Sequence, residues 1–326
     1  MPQRIFSFNV NDFVLVWLSL IYEALPFIVV GSLLSGIIAA CVSRETIARA
    51  LPKNRWLALA LSAVLGLAFP MCECGIVPVM RRLVMKGVPV SCAIAYMLSA
   101  PIINPVVLAG TLLAFSGQGL VGVTLLRAAL GFVIAVAVGA VVWLVVGEHV
   151  IMLPRYESAR LGGYVETLAA QADAAPGERR RRPVLQVLSQ ILVVGSHDFF
   201  EIGAYLVLGA AVAAVINSGF YRTAMDPLAK NWVGSVAGMM VLAVLLNLCS
   251  EADAFVAASF RVFSIPAKLS FLVLGPMVDI KLLLMYTRIF RPAAIMLISG
   301  LVTLLVFVLC VTGHLWMPQV VDALPQ

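Results

Sequence analysis

Charge is scarce in this chain: 12% of its 326 residues are Asp, Glu, Lys or Arg, about half the share of an ordinary soluble domain, whereas 62% are hydrophobic. That balance excludes a soluble globular protein. Histidine is scarcer still, and His149, His197 and His314 are scattered without the spacing that zinc ligands need. The pair His197-Asp198 precedes Glu201 at an expected membrane interface, where solvation accounts for it. Neither a phosphate-binding loop nor a nucleophile elbow occurs, so the expectation is a protein that is not an enzyme and carries no cofactor. Long polar stretches are missing too. The longest, from 147 to 183, is too short and too poor in apolar residues to bury a core of its own. The net charge of +6 does not point to nucleic acid, because the basic residues sit between apolar runs, as topology signals do. The six cysteines lie in or beside apolar runs and do not resemble a secreted disulfide framework.

What the chain has in abundance is apolar length. A bilayer core of about 30 Å needs roughly 20 apolar residues of helix. Candidate runs fall near 13–41, 56–80, 90–115, 119–146, 199–217, 231–256, 267–287 and 292–312. The expected fold is therefore an all-α integral membrane protein with about eight apolar segments, placed as a multi-pass protein in the inner (plasma) membrane. The stretch Ile38-Ala39-Ala40-Cys41 looks like a lipoprotein cleavage box, but the run before it is too long for a signal sequence and holds Glu23 and Pro26.

Scarce residue types recur in order along the chain. Glu23, Phe27 and Gly31 match Glu201, Tyr205 and Gly209 at a spacing of 178, as Arg44 matches Arg222. Leu51-Pro52-Lys53-Asn54 matches Leu228-Ala229-Lys230-Asn231 at 177, as do Cys72 with Cys249 and Pro89 with Pro266; Pro101 pairs with Pro276 and Asn104 with Asp279 at 175. Coincidence of Leu or Ala would mean little in so apolar a chain, but these types are rare. The reading is a duplication: a first transmembrane repeat over 1–150, a flexible basic linker over 151–183 and a second repeat over 184–326. The linker carries Ala-Ala-Pro-Gly and then Arg179 to Arg182, which places it on the cytoplasmic side.

The 31 residues from Trp56 to Lys86 would make a single helix of about 46 Å, longer than a crossing requires. With Pro70 and Gly75 breaking it, two half-helices can enter and leave on one face, which keeps Arg44 to Arg55, Arg81, Arg82 and Lys86 together in the cytoplasm. Each half then crosses three times, and an odd number makes the repeats inverted. Arg222, Lys230, Arg261 and Lys268 in the second half would face outward and fit this arrangement less well.

Chemistry concentrates at Phe69-Pro70-Met71-Cys72-Glu73-Cys74-Gly75 and its counterpart Leu248-Cys249-Ser250-Glu251-Ala252-Asp253. Carboxyl groups at membrane depth are costly and normally face a bundle interior or a hydrated cavity, so Glu73, Glu251 and Asp253 are candidates for a substrate path. The bland reading is that they pair with arginine or cap half-helices. Two thiols two residues apart point about 200° from each other on a helix, so Cys72 and Cys74 converge only where the helix is interrupted. Thiolates favour soft metal or metalloid centres. Cys41, Cys92 and Cys310 read instead as small residues for packing. A second break, Ser99-Ala100-Pro101-Ile102-Ile103-Asn104-Pro105, frees backbone carbonyls, and Asn104 would bond substrate or that backbone. In its counterpart around Pro276, Asp279 and Lys281 are either an ion pair or substrate contacts. Glu23 and Glu201 each begin a face continued by an aromatic and a glycine, which suits close helix packing, with proton coupling as the alternative.

The block from Pro70 to Pro78, followed by Gly87-Val88-Pro89 and the segment from Ser99 to Pro105, closely resembles the predicted permease family that includes the ArsP organoarsenical exporters. The resemblance spans both halves and leaves out the arginine-rich linker. It implies a permease for a small solute in the lipid bilayer, working by alternating access, with export of trivalent organoarsenicals or another soft, thiol-reactive solute as the expected activity. Cys72, Cys74 and the matched Cys249 carry the substrate role by resemblance. Proton coupling through Glu73 or Glu251 and a homo-oligomer are both compatible with it. Two readings from other classes stay open: a membrane thiol oxidoreductase using Cys72 and Cys74, and a membrane scaffold with no flux of its own.

Overall fold

The computed structural model describes residues 10–43, 46, 47, 49, 51–67, 71–116, 120–146, 184–219, 231–260, 262–313, 315 and 317. The basic linker, Pro70, Arg44, Arg222, Lys230 and Arg261 lie outside the described residues. Every regular element among those described is helical, as a chain this apolar requires, because backbone groups in hydrocarbon must find partners within their own segment.

In the first half, α1 (Val10–Cys41), α2 (Arg55–Val64), α3 (Glu73–Met85), α4 (Val90–Ser99), α5 (Pro105–Ala114) and α6 (Leu120–Val141) succeed one another. The second half runs α7 (Val184–Gly219), α8 (Trp232–Leu246), α9 (Asp253–Ser259), α10 (Ile265–Leu274), α11 (Ile280–Tyr286) and α12 (Pro292–Gly313). The first six helices have 32, 10, 13, 10, 10 and 22 residues and the next six 36, 15, 7, 10, 7 and 22. Four spans are long and apolar enough to cross a membrane: Val10–Cys41, Val121–Val145, Leu185–Val215 and Pro292–Gly313. The runs expected at 56–80, 90–115, 231–256 and 267–287 are instead each divided between two shorter helices. The seventh helix also starts at Val184 rather than near 199, because Gln186, Ser189, Gln190, Ser196 and Asp198 dilute its hydropathy without breaking it.

Side-chain neighbours give the helix directions. The Trp17 indole donates to the Val207 carbonyl at 3.2 Å, Gly195 packs on the backbone of Ser32, and Gly36 packs on that of Ile191. As numbers rise along α1 they fall along α7, so these two helices are antiparallel. By the same logic α2 and α4 run parallel: Leu59 and Ala95 both meet Gly139 of α6, and Gly66 abuts Ala100. The intervening α3 must therefore run back, which puts Arg55 and Lys86 at one level. In the second half α8 and α10 are parallel as well, with Ser270 donating to the Val236 carbonyl at 3.3 Å and Gly275 beside Ala243. Against α6, the order Ala95, Ile102, Thr111 meets Gly139, Gly131, Arg127, so α4 and α5 form one interrupted passage and α6 is the return.

Gly75 does not break the helix. It lies in the first turn of α3, and its bareness serves packing: a Cβ there would sit 2.7 Å from the Phe27 carbonyl oxygen, and one on Gly31 would sit 2.7 Å from the Gly75 Cα. The described part of the break is Met71 and Cys72, with Cys72 in extended backbone. Pro101 and Pro276 fall in the non-helical turns before α5 and α11, and Pro105 is the first residue of α5, where its missing N–H costs nothing. Cys92 and Cys310 are buried as expected for packing, but Cys41 is exposed at the end of α1, so the packing reading fails there.

Candidate functional site

Two interruptions from the two halves face each other. Cys72 caps α3 and hands the chain to Glu73 as its first residue. On the other side α8 ends at Asn247, whose left-handed backbone (φ 53°) turns the chain out of the helix; asparagine tolerates that conformation better than most side chains. Residues 248–252 are then free to present Cys249, Ser250 and Glu251 before α9 starts at Asp253.

The groups meet at hydrogen-bond range. The Ser250 hydroxyl stands 3.3 Å from Glu73 Oε2 and 3.4 Å from Glu251 Oε2, so one serine joins the two carboxylates. Cys249 Sγ lies 2.9 Å from Glu251 and 3.9 Å from Glu73. Cys72 and Cys74 share one buried cluster with Cys249, walled by Ala24, Ile28 and Leu206 from α1 and α7. A charge relay continues from Glu73. Lys281 Nζ is 3.0 Å from Glu73 Oε1, 3.3 Å from Asp279 Oδ2 and 3.3 Å from the Asn247 carbonyl to which it donates. Asp279 also caps α11 by accepting from Leu282 N at 2.6 Å, and the Asn247 amide, assigned with its nitrogen toward the carboxylate because that orientation satisfies both groups, donates to both its oxygens at 2.8 and 3.1 Å. Of the two expectations for Asp279 and Lys281, the ion pair is the one observed, and it extends across the halves to Glu73.

Arg127 closes the other side. Fully buried in the middle of α6, it donates to Asp253 Oδ2 and to the Thr111 hydroxyl, each at 2.7 Å, and to the Ser250 carbonyl at 3.3 Å. The bland reading thus describes Asp253, which is arginine-paired. Glu23 of α1 is within electrostatic reach of Lys281, Glu73 and Glu251. Glu23, Glu73, Glu251, Asp253 and Asp279 together face Lys281 and Arg127, an excess of acid over base. Asn104 stays apart at the other break: buried, it caps α5 by accepting from Val106 N at 2.9 Å, which is the backbone role.

A second polar cluster sits where α3 crosses α7. Arg82, 3% exposed, donates to Asp198 at 3.0 and 3.2 Å, and Ser35 of α1 donates to the same carboxylate. Arg81 donates to Glu201 at 2.6 Å. The expected interfacial solvation of Asp198 is therefore overturned: it is buried, as are Arg82 and Lys86, and the Arg82–Asp198 pair ties the halves together. Lys268 is buried, with its ammonium 5.6 Å from the Phe115 ring centre. Beside this cluster, Val77, Arg81, Glu201, Tyr205, Met285 and Arg288 line a small cleft with room for about one water molecule.

Arg127, Asn247, Lys281 as partner of Glu73, and the Arg82–Asp198 pair all escaped the sequence reading. Arg127 had a signal: it is the one charge in the run 119–146, and a lone charge at that depth needs a partner.

Comparison with known proteins gives the family. The model of the family ArsP_1, described as a predicted permease, matches residues 9–314. A Bacillus subtilis (strain 168) protein named UPF0718 protein YcgR is 38% identical over 292 residues, covering 89% of this chain and 93% of that one. A Streptococcus mutans serotype c (strain ATCC 700610 / UA159) protein named as a two-component membrane permease complex subunit is 33% identical over 296 residues, covering 90% and 92%. No solved structure matches the chain. With its long apolar helices and this match over nearly its whole length, the chain is a multi-pass integral membrane protein and belongs to the predicted permease family.

Proposed function

We propose that this permease moves a soft, thiol-reactive solute, with export of trivalent organoarsenicals as the specific activity, by alternating access between two inverted repeats. The observation that carries the reading is the meeting of Cys72 and Glu73 from one half with Cys249, Ser250 and Glu251 from the other. Groups contributed by both halves part and rejoin when the halves rock, so a solute held between them is offered to each face in turn. The antiparallel run of α1 and α7 supports inversion, since equivalent helices in parallel repeats would run the same way.

In this reading two of the thiols of Cys72, Cys249 and Cys74 hold the trivalent centre, since soft acceptors prefer sulfur: each As–S bond replaces an As–OH bond, and the hydroxide leaves as water with the thiol proton. Glu73 or Glu251 relays that proton from thiol to leaving hydroxide. Asn104, Asp253 and Asp279 act by holding in place the breaks that precede α5, α9 and α11. The first repeat ends near 150, the second begins at 184, and the linker between them lies in the cytoplasm, with the protein in the plasma membrane. The Streptococcus relative, named as a complex subunit, suggests that a second subunit accompanies this one. The test is uptake of trivalent methylarsenical into everted vesicles. Cys72→Ser and Cys249→Ser should each lower the rate by about tenfold or more, as loss of a soft donor does; an unchanged rate in both variants removes the thiols from the path.

A further inference from the structure

The donors at the junction of the halves are not thiols alone. Cys72 Sγ, a carboxylate oxygen of Glu73 and Cys249 Sγ all lie within 4.8 Å of one another, and all three residues are buried. Glu251 Oε2 stands 2.9 Å from Cys249 Sγ, while its Oε1 is buried without a hydrogen bond. Glu73 Oε1 is also without a directed hydrogen bond; the Lys281 ammonium, 3.0 Å away, makes an ion contact only. A trivalent arsenical bound through sulfur gains little from carboxylates, whereas a metal cation uses them to complete its shell.

We infer that Cys72, Glu73 and Cys249, with Glu251 as fourth donor, form a binding site for a soft divalent cation such as Zn²⁺ or Cd²⁺. The inference rests on reading this cluster as the permease's solute site and names a second substrate class for it. Two sulfurs and two carboxylate oxygens suit a tetrahedral ion, with bonds of about 2.3 Å to sulfur and 2.0–2.2 Å to oxygen, so donor atoms stand roughly 3.3–3.8 Å apart. From separations of up to 4.8 Å, Cys72, Glu73 and Cys249 must draw together by about 1–1.5 Å at most, and Glu251, 2.9 Å from Cys249 Sγ, must swing toward them, which side-chain rotation provides. Thiolates exclude the hard ions Mg²⁺ and Ca²⁺.

Charge supports the same assignment. The cation enters, two S–M bonds form, and the two thiol protons leave to water, so the buried cluster keeps the net charge it had. Lys281 holds Glu73 while no cation is bound. It can release that carboxylate without losing its own compensation, because Asp279 remains 3.3 Å away. Lys281 is thus a tethered counter-ion in competition with the cation.

The test uses the purified full-length chain in detergent with Cys41, Cys92 and Cys310 changed to serine, titrated with Cd²⁺ and followed by the ultraviolet thiolate-to-cadmium charge-transfer band. The expected result is a saturable band at one Cd²⁺ per chain. Cys72→Ser or Cys249→Ser should weaken binding by about tenfold or more, and excess Mg²⁺ should not compete. Lys281→Met should tighten binding by about tenfold through loss of the competing charge. A chain that is monodisperse yet shows no saturable band, or a band that survives Cys72→Ser combined with Cys249→Ser, overturns the site. Export of methylarsenical without Cd²⁺ binding would refute this inference and leave the permease reading standing. Cd²⁺ binding without methylarsenical flux would refute the arsenical activity and leave the cation site.

Discussion

Replacing Arg127 by methionine should be among the most damaging single changes in the protein, and removing its partner as well should undo most of the damage. Arg127 and Asp253 are 0% and 3% exposed and 2.7 Å apart, so neither charge has water to fall back on. With charge centres about 4 Å apart at an effective dielectric constant near 20, their attraction is about 4 kcal/mol. Deleting one partner of such a pair costs about 3–5 kcal/mol, because the other charge stays buried and unpaired. Loss of the bonds to Thr111 and the Ser250 carbonyl adds about 1 kcal/mol each. Arg127→Met alone should therefore cost roughly 5–7 kcal/mol, whereas Arg127→Met with Asp253→Leu should cost only about 1–3 kcal/mol, since two apolar side chains replace the pair. Heating the detergent-purified variants and following the surviving monodisperse fraction by fluorescence-detected gel filtration ranks them. The double variant should survive to clearly higher temperature than either single one. A double variant as unstable as the sum of the singles would show that the pair is not the unit that holds the break at residues 247–252.

Other consequences are independent of that pair. Because Cys72 Sγ and Cys249 Sγ lie within 4.8 Å, mild oxidation of a chain with only these two cysteines should join the halves. Proteolysis in the linker would then leave one band that separates into two on reduction; two bands before reduction would contradict the contact. Gly31→Val should cost about 1–3 kcal/mol or prevent folding, since even its Cβ would lie 2.7 Å from the Gly75 Cα, and normal thermal stability of that variant would refute the close approach of α1 and α3. Cysteines placed at Lys53 and Val88 should react with an impermeant reagent from the same side of the membrane. Reaction from opposite sides would mean that α2 and α3 form one crossing rather than a hairpin. Ser250→Ala should lower transport by several-fold while leaving stability within about 1 kcal/mol of the parent. An unchanged rate would show that joining Glu73 to Glu251 has no functional weight.

The meeting of Cys72 with Cys249 was legible in the spacing of 177, because a repeat that keeps a rare residue type puts it at equivalent places in the two halves. The breaks were legible where proline marks them, at Pro101, Pro105 and Pro276. Gly75 misled because glycine in an apolar helix has two uses, and here packing against Phe27 and Gly31 outweighs flexibility. For Arg81 and Arg82 the sequence did not show the partner. The charge rule assigns a side of the membrane but not a partner, and Asp198, more than a hundred residues along, supplies one for Arg82. Lys281 could be read as a neighbour of Asp279 from sequence alone, whereas its contact with Glu73 exists only because α11 packs on α3.

The proposed passage is tested most directly by the reactivity of Cys72 toward a membrane-impermeant methanethiosulfonate reagent, in a chain whose Cys41, Cys92 and Cys310 are serine, with the modified residue identified by peptide mass and right-side-out and everted vesicles used in parallel. A thiol at the junction of two rocking halves is reached from both faces, and modification from either side stops transport. Protection of Cys72 from both faces while the protein is transporting would contradict the account.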